Sequence, residues 1–309
     1  MTDPDRPSDS LETARQTPPA TGDPGRGGGF RKIMLANTAA LPVLVTLANG
    51  VAGFAAVHYA TKSGLGAATM AHLTVAAWLI FAAMAFDALD GRLARMTRQA
   101  SEFGAQLDSL CDVISFGVAP AVLMVQVVSM ALTEQIKPFD AFQAEGSALG
   151  KAVMAIAVLY LCCAVLRLAR FNIENAPDLL HHLEFKGLPS PAAAGTVAAM
   201  VLLFEHLQSV EAGWKSAEWL KIGAGATLPA VTLLAALLMI SGFRYTHLVN
   251  RLLISRKPFG YIVKVVIAVV VVLLYPQLAL ALLAILYAAS GPAEAILRRL
   301  RPKRKSQAE

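Results

Sequence analysis

The chain has 309 residues, of which 56% are hydrophobic and only 16% are charged. Soluble domains carry about a quarter charged residues, so this composition and its long apolar runs exclude an ordinary soluble protein and predict a polytopic membrane protein. The net charge of +6 then reflects basic loops beside anionic headgroups rather than a nucleic-acid partner. The three cysteines lie in apolar segments and do not form a disulfide framework.

The composition divides the chain into three parts. Residues 1–29 are rich in Pro, Gly, Asp, Thr and Ser and lack an apolar core, which predicts a disordered tail rather than a signal peptide. Residues 30–297 form the predicted transmembrane domain. Residues 298–309 form a basic tail that is expected to lie against anionic lipid.

Apolar runs predict about eight transmembrane helices, so the predicted fold is an all-α integral membrane protein. In chain order the spans cover about 38–59, 69–91, 102–131, 151–172, 190–207, 223–243, 260–275 and 277–296. With the amino terminus in the cytoplasm, outer loops hold 5 of the 27 basic residues and cytoplasmic segments hold the other 22. This asymmetry predicts an even number of spans with both termini in the cytoplasm.

Four aspartates lie where the second predicted span ends and the third begins. Asp87 and Asp90 are three residues apart, and Asp108 and Asp112 are four apart, so each pair shares one helix face. A short connection makes the two helices antiparallel neighbours, and the acidic faces then converge. Adjacent carboxylates repel each other, and hard divalent cations with oxygen ligands, Mg²⁺ or Mn²⁺, balance such a cluster.

Small and basic residues accompany the aspartates. Gly91, Ala94 and Gly104 lack bulky side chains, so a ligand or the opposite helix can approach the backbone there. Arg95 supplies a fixed positive charge for a phosphate. Two alternatives are ordinary charged helix ends and a cation transporter or channel. The transporter is disfavoured because the acids gather at one membrane face and no internal repeat is found.

The stretch Asp87-x2-Asp90-Gly91-x2-Ala94-Arg95-x8-Gly104-x3-Asp108-x3-Asp112 resembles the signature of the CDP-alcohol phosphotransferases at every fixed position. The resemblance implies a six-helix membrane core, a homodimer, and metal held by the first three aspartates against the pyrophosphate of a CDP donor. It makes Asp112 the general base on the acceptor hydroxyl and a further metal ligand. It also implies that Gly91, Ala94, Arg95 and Gly104 line the donor site.

An upstream stretch, Thr46-Leu47-Ala48-Asn49-x3-Gly53, resembles the first helix of the same family and adds Asn49 to the donor site. Many members have Pro-Asn before this Thr, whereas here Pro42 is followed by Val43. The alternative role of Asn49 is a helix–helix hydrogen bond.

Two later segments indicate the acceptor. Residues 167–172 and 185–194 resemble the phosphatidylserine synthase subfamily, which implies CDP-diacylglycerol and L-serine as substrates in a bacterial inner membrane, with the active site facing the cytoplasm. The candidate serine-binding residues are Arg167, Arg170, Asn172 and Lys186. The arginines have an alternative role as anchors that snorkel to the headgroups. The alternative acceptors are inositol phosphate, glycerol phosphate and choline.

Overall fold

A computed structural model describes residues 27–62, 67–97, 102–133, 148–174, 187–210, 217–243, 245 and 274–300. Every regular element in these residues is helical. The helices are α1 (Gly27–Thr61), α2 (Ala67–Thr97), α3 (Glu102–Asp112), α4 (Ala119–Thr133), α5 (Ala148–Glu174), α6 (Ser190–Val210), α7 (Ala217–Ile240) and α8 (Pro276–Leu300). A π-helical turn, Val113–Val118, joins α3 to α4.

Seven helical stretches of the described residues are long and apolar enough to cross a membrane. They match seven of the eight predicted spans, and the predicted span at 260–275 lies outside the described residues except for its last two. The all-α integral membrane fold is thus confirmed. α1 begins at Gly27, inside the predicted tail 1–29. The chain divides after Thr38 into two compact units, and everything below concerns the second, Ala39–Glu309.

The centre of the bundle is built from the stretch α3–π–α4 and from α6. In the most apolar parts of these two stretches 67% and 61% of the residues are buried, whereas in α8 the share is only 11%. The buried face of α6 consists largely of alanine and valine, including Ala194, Val197 and Ala198. Small side chains let helix backbones approach closely in a membrane, and α6 packs against α2, α7 and α8.

Pro120 explains why the π-helical turn occurs where it does. Proline has no N–H and its ring crowds the carbonyl four residues earlier, so the Phe116 carbonyl loses its helical donor. The helix widens before Pro120, and the Ala119 N–H bonds to the Ile114 carbonyl, five residues back. The Tyr160 hydroxyl donates to the freed Phe116 oxygen at 3.1 Å. Asp112 therefore lies directly before an irregular turn that α5 stabilises.

A tight turn at Gly187 sets the start of α6. Gly187 has φ 93°, a conformation that favours glycine, and a Cβ there would collide with the Met239 carbonyl oxygen. Its N–H donates to the Phe243 oxygen at 2.8 Å, and the Leu188 N–H donates to the Leu238 oxygen at 2.9 Å. These bonds tie the residues just before α6 to the end of α7 and thereby help to position Ser190.

Candidate active site

Three of the predicted aspartates meet between α2 and α3. One carboxylate oxygen from each of Asp87, Asp90 and Asp108 lies within 4.8 Å of the other two. Asp90 is buried, and Asp87 and Asp108 are partly buried. The predicted convergence of the two acidic faces is therefore confirmed for these three residues.

Asp112 lies one turn further along α3 and is buried with 6% exposure. The Asn49 Nδ2 group of α1 donates to Asp112 Oδ1 at 2.9 Å, and Asn49 is fully buried. The Asp112 carboxylate interacts electrostatically with Asp87 and Asp108. The fourth aspartate thus lies beside the three-carboxylate group, and the amide of α1 holds its orientation.

Close packing of α1 on the π-helical turn positions Asn49. The Ser115 hydroxyl donates to the Asn49 carbonyl oxygen at 2.9 Å. A Cβ on Gly53 would lie 2.6 Å from Ser115 Cα, and one on Gly50 would lie 2.9 Å from Cys111 Sγ. Two glycines on one face of α1 therefore allow the approach that brings Asn49 to Asp112, and the buried Cys111 acts as a small packing residue here.

The donor atoms of the site fit a divalent metal ion. Asp90 Oδ2, Asp108 Oδ1 and Asn49 Oδ1 are buried and have no hydrogen-bond donor among the described residues. Buried oxygens without donors cost free energy, and clustered carboxylates also repel each other. A hard cation coordinated by oxygen removes both penalties, so the three-aspartate group could bind one.

The predicted donor-binding residues surround the carboxylates. Gly91 is exposed, and no described atom beyond its chain neighbours and its own helix backbone lies within 4 Å of the position that a Cβ would occupy. This side of Asp90 is therefore open in the described structure. Gly104 is partly buried one turn before Asp108. Ala94 and Arg95 lie in α2, but their side chains are outside the described structure.

The structure brings Arg167 of α5 to the same site. Its guanidinium interacts electrostatically with the Asp112 carboxylate and with Tyr287 of α8. Arg167 Nη1 donates to Ser190 Oγ, at the start of α6, at 3.0 Å. Arg167 Nε is buried and has no acceptor among the described residues. A positive group therefore lies within electrostatic range of the candidate base, and its Nε finds no acceptor in the described part of the chain.

The other predicted serine-binding residues have different surroundings. Asn172 bonds to Ser109 of α3, with Nδ2 donating to Ser109 Oγ at 2.8 Å. It therefore fastens α5 to the helix that carries Asp108 and Asp112. Arg170 is exposed, and Lys186 lies outside the described residues.

Sequence reasoning missed several residues of the site. Ser190 bonds to Arg167, Tyr287 lies within electrostatic range of Arg167, and Ser109 bonds to Asn172. The Thr46 hydroxyl lies beside the Asp90 carboxylate and donates to the Pro42 carbonyl oxygen at 3.0 Å. Thr46 lies in the upstream stretch 46–53 and Ser190 lies in the segment 185–194. Both stretches resemble the family, so the sequence did point to these two residues. Tyr287 had no such signal.

Comparison with known proteins assigns the family. A family model described as CDP-alcohol phosphatidyltransferase matches residues 39–228, a range that holds all four aspartates, Asn49 and Arg167. The chain belongs to the CDP-alcohol phosphatidyltransferase family. Membership agrees with the resemblance that the aspartate motif suggested, and members of this family typically use divalent metals, which fits the carboxylate group.

Similar proteins have names that specify the acceptor. A Helicobacter pylori J99 protein named CDP-diacylglycerol–serine O-phosphatidyltransferase is 32% identical over 207 residues, which cover 67% of this chain and 71% of that protein. A Mycobacterium bovis protein of the same name is 31% identical over 67% of this chain and 60% of its own length. A Methanothermobacter thermautotrophicus protein named archaetidylserine synthase is 33% identical over 53% of this chain and 58% of its own length.

Proposed function

We propose that this CDP-alcohol phosphatidyltransferase transfers a phosphatidyl group from CDP-diacylglycerol to L-serine, forming phosphatidylserine and CMP. The observation that carries the proposal is Arg167, whose buried Nε has no acceptor among the residues that the structure describes, while its guanidinium lies within electrostatic range of Asp112. The carboxylate of an amino acid accepts two parallel hydrogen bonds from a guanidinium. The names of the similar proteins support the same acceptor.

The donor half of the site consists of the carboxylates and the space beside Gly91. Asp87, Asp90 and Asp108 would hold Mg²⁺ or Mn²⁺, and Asp112, one turn further along α3, would contribute a further oxygen. The bound metal supplies Lewis-acid neutralisation of the charge on the donor pyrophosphate. Gly91, Ala94, Arg95, Gly104 and Asn49 line the nucleotide side, where the open space next to Gly91 admits the donor.

The acceptor half operates around Asp112. Arg167 binds the serine carboxylate, and the positive charges of Arg170 and Lys186 favour an acceptor that carries a carboxylate. Asn172 holds α5 on α3 through Ser109. Asp112 Oδ2 accepts the proton of the serine hydroxyl because Oδ1 is held by Asn49. The serine oxygen forms a bond to the lipid-linked phosphorus, the bond from that phosphorus to the bridging oxygen breaks, and CMP leaves with the electron pair.

The membrane arrangement follows from the charge asymmetry and the span count. The site faces the cytoplasm in a bacterial inner membrane, so CDP-diacylglycerol reaches it from the inner leaflet with its acyl chains still in lipid. The protein acts as a homodimer. A cysteine-accessibility assay checks the orientation: a cysteine placed in the tail 298–309 should react with impermeant reagent only from the cytoplasmic side.

CMP release tests the acceptor. Purified protein in detergent–lipid micelles receives CDP-diacylglycerol, Mn²⁺ or Mg²⁺, and one alcohol at a time. L-Serine is expected to support release, while ethanolamine, which lacks the carboxylate, supports far less. Arg167→Lys keeps the charge but loses the planar guanidinium that can donate two parallel hydrogen bonds. It should therefore raise the KM for L-serine about tenfold, which corresponds to the loss of one hydrogen bond to a charged group. Equal release with ethanolamine and serine would contradict the role given to Arg167.

A further inference from the structure

Arg167 lies on the face of α5 that packs against the π-helical turn after α3. Tyr160, Ala164 and Arg167 follow one another at spacings of four and three residues and so share one helix face. The Tyr160 hydroxyl donates to the Phe116 oxygen at 3.1 Å, and a Cβ on Gly117 would lie 3.7 Å from Ala164 Cβ. Arg167 therefore continues the contact face of α5 by one further turn.

A second hydrogen bond places Arg167 relative to Asp112. Asn172 Nδ2 donates to Ser109 Oγ at 2.8 Å, and together with the Tyr160 bond this shows that α5 runs antiparallel to α3 and the π-helical turn. Arg167 lies five residues before Asn172, and Asp112 lies three residues after Ser109. Both are displaced in the same direction from the Asn172–Ser109 bond, which brings Arg167 to the end of α3 that carries Asp112.

Ser190 restrains the guanidinium of Arg167 from α6. Arg167 Nη1 donates to Ser190 Oγ at 3.0 Å, and Ser190 is only 1% exposed. The turn at Gly187, whose N–H is bonded to the residues after α7, holds the chain just before Ser190. The serine that fixes the arginine is thus itself held by the packing of α6 on α7.

The bond to Ser190 uses a donor that is not needed for side-on recognition of a carboxylate. A guanidinium binds a carboxylate side-on through Nε and Nη2, whereas Nη1 lies on the side of Cδ, outside this edge. The Arg167 Nε is buried and has no acceptor among the residues that the structure describes. Ser190 can therefore fix the orientation of the guanidinium and leave the edge that contains Nε for a ligand.

We infer that Ser190 is a positioning residue for the acceptor: its hydroxyl holds Nη1 of Arg167 so that the edge formed by Nε and Nη2 faces the carboxylate of the incoming amino acid. The inference rests on the proposed function, because it deepens the acceptor half of the same site. It gives the start of α6 a role in selecting an amino acid over a plain amino alcohol.

Ser190→Ala tests this role because it removes the hydroxyl and adds no bulk. Its KM for L-serine should rise about 3- to 10-fold, the range for one lost hydrogen bond, while kcat and the KM for CDP-diacylglycerol change less than about twofold. The KM for ethanolamine, which has no carboxylate, should not change, so the preference for L-serine falls by the same factor. In an Arg167→Ala background, Ser190→Ala should have no further effect on the KM for L-serine.

Thr196→Val is the matched control on the same helix. Thr196 is 4% exposed, and its hydroxyl donates only to the Ala192 carbonyl of α6 among the described residues, so its loss should leave the KM for L-serine unchanged. An unchanged KM for L-serine in Ser190→Ala, or an equal rise in the KM values for L-serine and ethanolamine, would overturn the inference and leave the proposed function standing. Wild-type turnover only with an alcohol that lacks a carboxylate, or with no alcohol, would overturn both.

Discussion

Replacing Asn49 is the most specific way to perturb the site, because one hydrogen bond from its side chain links α1 to the candidate base Asp112. Its Nδ2 donates to Asp112 Oδ1 at 2.9 Å, and both residues are buried. Hydrogen bonds to charged groups contribute about 1.5–3 kcal/mol. If the bond holds Asp112 in the orientation that accepts the serine proton, Asn49→Ala should lower kcat by roughly 10- to 150-fold, since each 1.36 kcal/mol corresponds to a tenfold change in rate.

The assay is initial-rate CMP release at saturating CDP-diacylglycerol and L-serine, with thermal unfolding in detergent as the check on folding. Ser115→Ala is the matched control. It removes the bond from Ser115 Oγ to the Asn49 carbonyl in the same helix contact and leaves the Asp112 bond in place. It should lower stability by about 1 kcal/mol and kcat only slightly. A folded Asn49→Ala protein with wild-type kcat would refute the reasoning.

Four further predictions concern the same site and the helix contact beside it. Asp112→Asn should abolish turnover and retain CDP-diacylglycerol binding by isothermal titration; normal turnover would eliminate Asp112 as the base. Removing divalent metal with EDTA should stop CMP release and lower the melting temperature, and Mn²⁺ or Mg²⁺ should restore both; activity that survives exhaustive chelation would argue against the metal. Gly53→Ala should destabilise the protein by about 1–3 kcal/mol, because its Cβ meets the Ser115 backbone. Gly91→Ala should have a normal melting temperature, since no described atom outside its own helix lies near its Cβ position. It should nevertheless raise the KM for CDP-diacylglycerol. Wild-type stability of Gly53→Ala would contradict the assigned packing, and a wild-type KM of Gly91→Ala would contradict the assigned donor site.

The sequence contained enough information for the spans and for the convergence of Asp87, Asp90 and Asp108. Both depend on local patterns, namely the length of an apolar run and the spacing of residues on a helix. A short connection between antiparallel helices also restricts how the two helices can be placed relative to each other. Asn49 was assigned to the donor site with a helix–helix hydrogen bond as the alternative. The structure shows that bond, and its partner is the candidate base itself.

Other features depend on contacts between segments far apart in the chain. Tyr245 packs on Tyr287 of α8 and fills the space beside Gly291, and no periodic pattern encodes that contact. Asn172 was predicted to bind serine, yet its side chain is bonded to Ser109, which makes its role in holding α5 on α3 the simpler one. The π-helical turn did have a sequence signal in Pro120, but the outcome depended on a distant donor, the Tyr160 hydroxyl.

The most direct test of the central claim is to incubate the purified protein with CDP-diacylglycerol, Mn²⁺ and isotopically labelled L-serine, and to detect labelled phosphatidylserine by mass spectrometry. The account predicts labelled phosphatidylserine in equal amount to the CMP released, and none from Asp108→Asn protein that is folded. CMP release with no label in the lipid, or undiminished product from the Asp108 variant, would contradict it.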